Sequence, residues 1–99
     1  MIVVAGHLRL KPDTLERLRP HMATMIAASR AEAGCLAYSY AADLTEPALV
    51  RVFELWRSRG DLDRHFATSH LRAWRARLAE IGIEERRFTA YEASEPRPV

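Results

Sequence analysis

The sequence predicts an α+β fold with the element order β-α-β-β-α-β. Three observations predict it. The first ten residues alternate in polarity, which is the period of a strand. Two later segments repeat apolar residues at spacings of three and four, which is the period of a helix. Finally, two short β-like runs follow one another across a turn containing proline, whereas helical segments separate the others.

In the first strand, Ile2, Val4, Leu8 and Leu10 point one way, with Gly6 among them, and Val3, Ala5, His7 and Arg9 point the other way. The stretch "KPDTLE" then reads as a helix start, with Pro12 in the first turn and Asp13 followed three residues later by Glu16 as a capping box. Leu15, Leu18, Met22, Met25, Ile26 and Ser29 continue at helical spacing. Pro20 lies inside this helix and is expected to kink it, and Gly34 is expected to end it. Residues 35–41 read as the second strand, with Leu36, Tyr38 and Tyr40 on one face. After the turn "DLTEP", residues 49–56 form the third, antiparallel to the second. Ser58 and Asp61 are placed to cap the next helix, whose inward stripe is Leu62, His65, Phe66 and Ser69. Ser69 is expected to cap a second segment carrying Leu71, Trp74, Leu78 and Ile81, closed by Gly82. Residues 83–93 form a fourth, weakly patterned strand, and 94–99 form a polar tail that frays or touches a partner. This order is the split βαβ, ferredoxin-like arrangement, with two helices on one face of a four-stranded antiparallel sheet. The other sheet face needs cover, which a homodimer would supply.

The chain has 99 residues, which is one domain's length, 1–99. It is 48% hydrophobic and 28% charged, a globular rather than a disordered composition. Net charge is +2, and 14 of 15 basic residues are arginines interleaved with acids, so no nucleic-acid partner is expected. No apolar run is long enough for a membrane span. The opening "MIVVAGHLRL" has no basic region and no cleavage site; it reads as a strand rather than a signal peptide, and a cytoplasmic protein is expected. Cys35, the single cysteine, excludes an intrachain disulfide and reads as a small buried residue.

The chemistry-bearing residues concentrate in "FELWRSRGDLDRHFATSHL". His65 and His70 are five apart, about 140° on a continuous helix, and converge only if the helix breaks near Ser69. No third ligand stands close in sequence, so no metal site is expected. Ser69 and His70 are adjacent and do not face each other, which excludes a serine–histidine pair on one helix. His65, on an apolar stripe, suits either proton transfer near neutral pH or a satisfied structural role. Glu54 shares a face with Val50, Val52 and Trp56, so it needs a partner or a raised pKa; His65, an Arg51 from across a dimer, and a tyrosine are the options. Trp56 and Trp74 read as core, and Tyr38 and Tyr40 as cross-strand packers able to bond a substrate hydroxyl.

These residues together resemble the antibiotic biosynthesis monooxygenase domain family, which includes small quinol monooxygenases. The pattern E-x-G-C-x-x-Y, E-x-W and L-x-x-H-x-x-[ST]-x-H is met by Glu32, Gly34, Cys35, Tyr38, Glu54, Trp56, Leu62 and His65, with the Ser69–His70 pair taken for the last places. The resemblance covers roughly residues 1–93. It implies a ferredoxin-like unit paired into a dimeric α+β barrel. It also implies a cofactor-independent monooxygenase that oxidises a small aromatic hydroquinone or polyketide-like phenol with molecular oxygen. His65 would be the base, Glu54 would orient it or bind a second hydroxyl, and Trp56, Tyr38, Phe66 and His70 would contact the substrate. Haem-degrading relatives carry a first-strand asparagine and a helix tryptophan; here Gly6 and His65 stand there, which argues against haem. The alternative reading is a non-catalytic dimeric ligand-binding or stress-associated module of the same fold.

Overall fold

The computed structural model describes residues 1–99. The elements are β1 (Ile2–Leu10), α1 (Leu15–Arg30), β2 (Cys35–Ala42), β3 (Leu49–Trp56), α2 (Arg59–Phe66), α3 (Ser69–Ile81) and β4 (Ile83–Glu92). The strands form one antiparallel sheet in the order β2-β3-β1-β4. This is the ferredoxin-like arrangement, with the second helical segment broken in two as its sequence implies.

The alternation in β1 sets the layers. Ile2, Val4, Leu8 and Leu10 are buried against the helices, as are Val50, Val52 and Trp56 of β3. Leu18, Met22 and Met25 of α1, Leu62 of α2, and Leu71, Trp74 and Leu78 of α3 close this single core from above. Burying side chains of this size stabilises by roughly 1.5–3 kcal/mol each, so a shared core ties all seven elements together. Gly6 is required by the sheet itself. A Cβ there would overlap the Arg87 carbonyl oxygen of β4, so glycine permits the close approach of the two strands.

Four local expectations are corrected. The capping box at Asp13 and Glu16 does not form: Asp13 takes a left-handed φ of 63° in the turn after Pro12, and α1 begins at Leu15. Thr14 instead donates its hydroxyl back to the Lys11 carbonyl (2.7 Å), and Glu16 pairs with Arg19. Helix α1 ends at Arg30, before Gly34, because residues 31–34 make a separate turn. Leu36 does not share the Tyr38 face: an irregularity between Cys35 and Ala37 turns it outward, 49% exposed. The cap of α3 is Thr68 rather than Ser69, its hydroxyl accepting the Leu71 N–H. The expected cap of α2 is present, with Ser58 accepting the Asp61 N–H at 3.2 Å.

The sheet face away from the helices is apolar in its middle. Val3 pairs with Leu55 and Tyr91, and Ala5 with Phe53 and Thr89. Phe53 is 44% exposed and Tyr91 56%.

Two glycines give opposite expected outcomes. Gly6→Ala should lower the urea midpoint by an amount worth about 1–3 kcal/mol, because the clash is with backbone. Gly60→Ala, in the first turn of α2 with nothing closer than 3.8 Å to its added Cβ, should raise stability by about 0.4–1 kcal/mol.

Candidate active site

The site is built where β2, β3 and the α2–α3 break meet. Tyr38 and Glu54 sit directly opposite each other on neighbouring strands. Helix α2 is short. It ends at Phe66, and the Thr68 hydroxyl donates to the His65 carbonyl (2.7 Å) while accepting the Leu71 N–H (3.4 Å). One side chain thus satisfies the end of one helix and the start of the next. The resulting corner turns His65 and His70 toward the same carboxylate.

That carboxylate is Glu32, from the turn after α1. Its Oε2 accepts His65 Nδ1 at 2.6 Å and His70 Nε2 at 2.8 Å. A carboxylate paired this way accepts, so the His65 proton sits on Nδ1 and Nε2 is left as the basic nitrogen. Nε2 lies 3.3 Å from the Tyr38 hydroxyl, a long contact at the edge of hydrogen bonding. Trp56 lies against the His65 ring, with centroids 4.8 Å apart. Burial lowers the His65 pKa below its ordinary 6.5, while the hydrogen bond and charge of Glu32 oppose that shift. The imidazole is therefore neutral at neutral pH.

Glu54 is 3% exposed, and its partner is the Trp56 indole N–H (2.9 Å), none of the three options expected. Burial raises its pKa, with the Trp56 hydrogen bond and the charges of Arg86 and Arg75 acting against that. Burial also pushes the Tyr38 phenol far up and the Tyr40 phenol up to about 12, so both remain hydrogen-bond donors. The half-buried Cys35 thiol is raised too, first by burial, which keeps it protonated and inert.

Beside these groups lies a cavity of about 260 Å³. Tyr38, Tyr40, Glu54 and His65 supply its polar atoms, while Phe66, Trp74 and Phe88 are aromatic walls. Arg75 and Arg86 complete the lining with four aliphatic side chains. The structure thus brings four of the expected site residues, His65, Glu54, Tyr38 and Phe66, to one cavity. Trp56 does not line it; it is fully buried behind His65 and Glu54 and holds both. His70 does not line it either, but stands on the far side of Glu32, beside His21 and Arg77. Tyr40, read as a packer able to bond a substrate hydroxyl, and Trp74, read as core, also line the cavity, whereas Glu32, Arg75, Arg86 and Phe88 carry no role in the sequence reading. For Glu32 a signal existed, since it opens the E-x-G-C motif. For Arg75, Arg86 and Phe88 there was none, because α3 and β4 meet only in the folded chain.

Glu32, His65 and His70 also present donor atoms all within 4.8 Å of one another, a composition able to hold a divalent ion. The third donor, absent near the histidines in sequence, comes from 33 residues before His65.

Residues 1–77 match the profile of the antibiotic biosynthesis monooxygenase family. An uncharacterised protein of Synechocystis, sll1783, is 35% identical over 94 residues, 95% of this chain and 64% of that protein. The chain thus spans just under two thirds of that relative's length. Rv0793 of Mycobacterium tuberculosis, named as a candidate monooxygenase, is 34% identical over 80 residues, 81% of this chain and 78% of that protein. Among solved structures, a candidate antibiotic biosynthesis monooxygenase from Deinococcus radiodurans superposes with a TM-score of 0.92 at 27% identity, covering 100% of this chain and 98% of its own. The Rv0793 structure superposes with a TM-score of 0.86 at 27% identity, covering 98% of each chain. On the strength of the family match over residues 1–77 and of these relatives, the chain belongs to the antibiotic biosynthesis monooxygenase family.

Proposed function

We propose that the protein is a monooxygenase that oxidises a small aromatic hydroquinone with O₂ and no cofactor, using His65 as base. The state of the His65 ring is what supports this reading. Glu32 holds the Nδ1 hydrogen, the Nε2 lone pair faces Tyr38, and the ring borders a mainly apolar cavity. A substrate hydroxyl need displace only the long Tyr38 contact to reach Nε2. The cavity volume of about 260 Å³ lies below the roughly 300–1,000 Å³ of pockets for drug-sized ligands, which favours a single ring over a fused polyketide.

In this reading a ring hydroxyl gives its proton to His65 Nε2, and Glu32 stabilises the imidazolium. The ring anion transfers one electron to O₂, and the two radicals join through a new C–O bond. Loss of the ring hydrogen at that carbon breaks the O–O bond. One oxygen atom stays on the ring and the other leaves as water. Hydroquinone plus O₂ gives hydroxyquinone plus water, so no external reductant enters the balance. Glu54, raised by burial and bonded to Trp56, serves a second ring hydroxyl; the orienting of His65 falls to Glu32. The apolar walls keep water from the anion.

A second reading, a binding module that consumes no oxygen, is favoured by one observation: both His65 nitrogens already have partners. Ligand-induced thermal shifts without oxygen uptake would select it.

We also infer a homodimer formed through the outer sheet face around Val3, Ala5, Phe53, Leu55 and Tyr91. Sedimentation should give the mass of two chains, and Phe53→Glu should give one; a wild-type monomer at micromolar concentration would exclude the pairing.

Oxygen uptake with a panel of hydroquinones should fall about 10²-fold or more in His65→Gln, the contribution expected of a general base. Full activity in that variant would remove His65 from the role. Because burial holds the His65 pKa below 6.5, kcat/KM should stay flat from neutral pH down to that region and fall only in more acid solution. Glu32 raises that pKa, so in Glu32→Gln the acid limb should move to still lower pH while the maximal rate drops. A chelator should leave the wild-type rate unchanged if protons alone occupy the Glu32–His65–His70 cluster.

A further inference from the structure

Two guanidinium groups border the cavity, and neither makes an ion pair or a hydrogen bond within the protein. Most arginines of this chain are engaged. Arg9, Arg19, Arg51, Arg59, Arg64, Arg77 and Arg87 each pair with a carboxylate, and Arg30 and Arg72 donate to backbone carbonyls. Arg75 of α3 and Arg86 of β4 form no ion pair and no hydrogen bond. Arg17, Arg57 and Arg97 are also unpaired, but none of these lines the cavity.

Arg75 and Arg86 rest on aromatic rings instead. The Arg86 guanidinium carbon lies 4.2 Å from the Phe88 ring centroid, and that of Arg75 lies 5.7 Å from the Phe66 centroid. Both rings are cavity walls. A cation over a ring face is held there without using up its N–H groups, which stay available to take a carboxylate. Arg75, Leu78 and Arg86 also line an adjoining groove with Ala79, Gly82 and Ile83, so the two cations stand where the cavity opens between α3 and β4. The buried carboxyl of Glu54 also lines the cavity. It disfavours a second anion beside it and leaves the arginine end as the place for one.

We infer that the ligand of this cavity is an aromatic ring bearing a carboxylate, which Arg75 and Arg86 hold at the α3–β4 opening while the ring points toward His65. This rests on the oxygenase reading only for what happens at the ring's far end; the anion site stands on the arginines. An uncharged phenol would leave both guanidiniums unused, whereas a carboxylated one fits a small apolar chamber with a cationic mouth.

Calorimetry with 2,5-dihydroxybenzoate and with 1,4-hydroquinone tests it without requiring turnover. The carboxylated ring should bind roughly ten- to a hundredfold more tightly at low salt, the range of charge-assisted hydrogen bonds, and added salt should shrink the difference. The double variant Arg75→Gln, Arg86→Gln should erase the preference, weakening the carboxylated ring far more than hydroquinone. Both side chains are exposed, so the variant should still fold and unfold in one cooperative transition. Equal affinity of the wild type for the two rings, no binding of the carboxylated ring, or equal weakening of both in the variant overturns the inference. A clear preference with no oxygen uptake would keep the anion site and defeat the oxygenase reading. Oxygen uptake with hydroquinone and no preference would do the reverse.

Discussion

The interaction on which the site depends is the Glu32 carboxylate taking two imidazole N–H groups on one oxygen, at 2.6 and 2.8 Å. Its three residues come from three separate pieces of chain: the turn after α1, the end of α2 and the start of α3. A buried imidazole without a partner would cost free energy and leave its tautomer open. With Glu32 in place the Nδ1 hydrogen is held, Nε2 is left basic, and the ring plane is set between Trp56 and Tyr38. The break between α2 and α3 belongs to the same device. On a continuous helix the two histidines would diverge; the Thr68 hydroxyl, serving both helix ends, makes the corner that lets them converge.

The sheet supplies the second constraint. Tyr38 and Glu54 face each other because β2 pairs with β3 in that register, and Trp56 lies two residues beyond Glu54 on the same face. The indole N–H can therefore satisfy Glu54 while the indole ring supports His65. Trp56 acts through its neighbours, behind the cavity wall. The irregularity at Leu36 contributes here as well. It shifts the parity of β2 so that Cys35 packs toward the core beside Tyr38 and Tyr40, while Leu36 goes out to the opposite face.

Much of this was legible in the sequence, wherever the signal was local and periodic. The strands β1 and β3, the Ser58 cap, the interrupted second helix and the inward direction of His65 follow from spacing alone. Three of the local errors share one cause. Asp13, Leu36 and Ser69 each satisfied a local rule, and a neighbouring backbone feature decided otherwise: a left-handed turn, a strand irregularity, and a better-placed Thr68 hydroxyl. The missing site residues are of a different kind. Glu32 lies 33 residues from His65, and Arg75 and Arg86 meet across two elements; spacing cannot report a contact made by tertiary packing.

The distribution of polarity around the cavity narrows the chemistry further. Most of its lining is aromatic and aliphatic, so charge at its inner end, beside the buried His65 and Glu54, is less screened than at its open, arginine-lined end. A base in such a place must be neutral at rest and yet able to accept a proton. In the proposed role of base, His65 is kept neutral by burial, and Glu32, by favouring the imidazolium, helps it accept the proton. These two effects oppose each other in the pKa but cooperate in function, because the carboxylate stabilises the charge only once the proton has arrived. Under the proposed oxygenase reading, the anion left on the ring has no such partner at the inner end, where Glu54 stands. Its charge must therefore delocalise over the ring or pass to oxygen. On that reading, an electron-rich ring, whose anion is a ready one-electron donor, is the substrate for which the arrangement favours reaction over simple return of the proton.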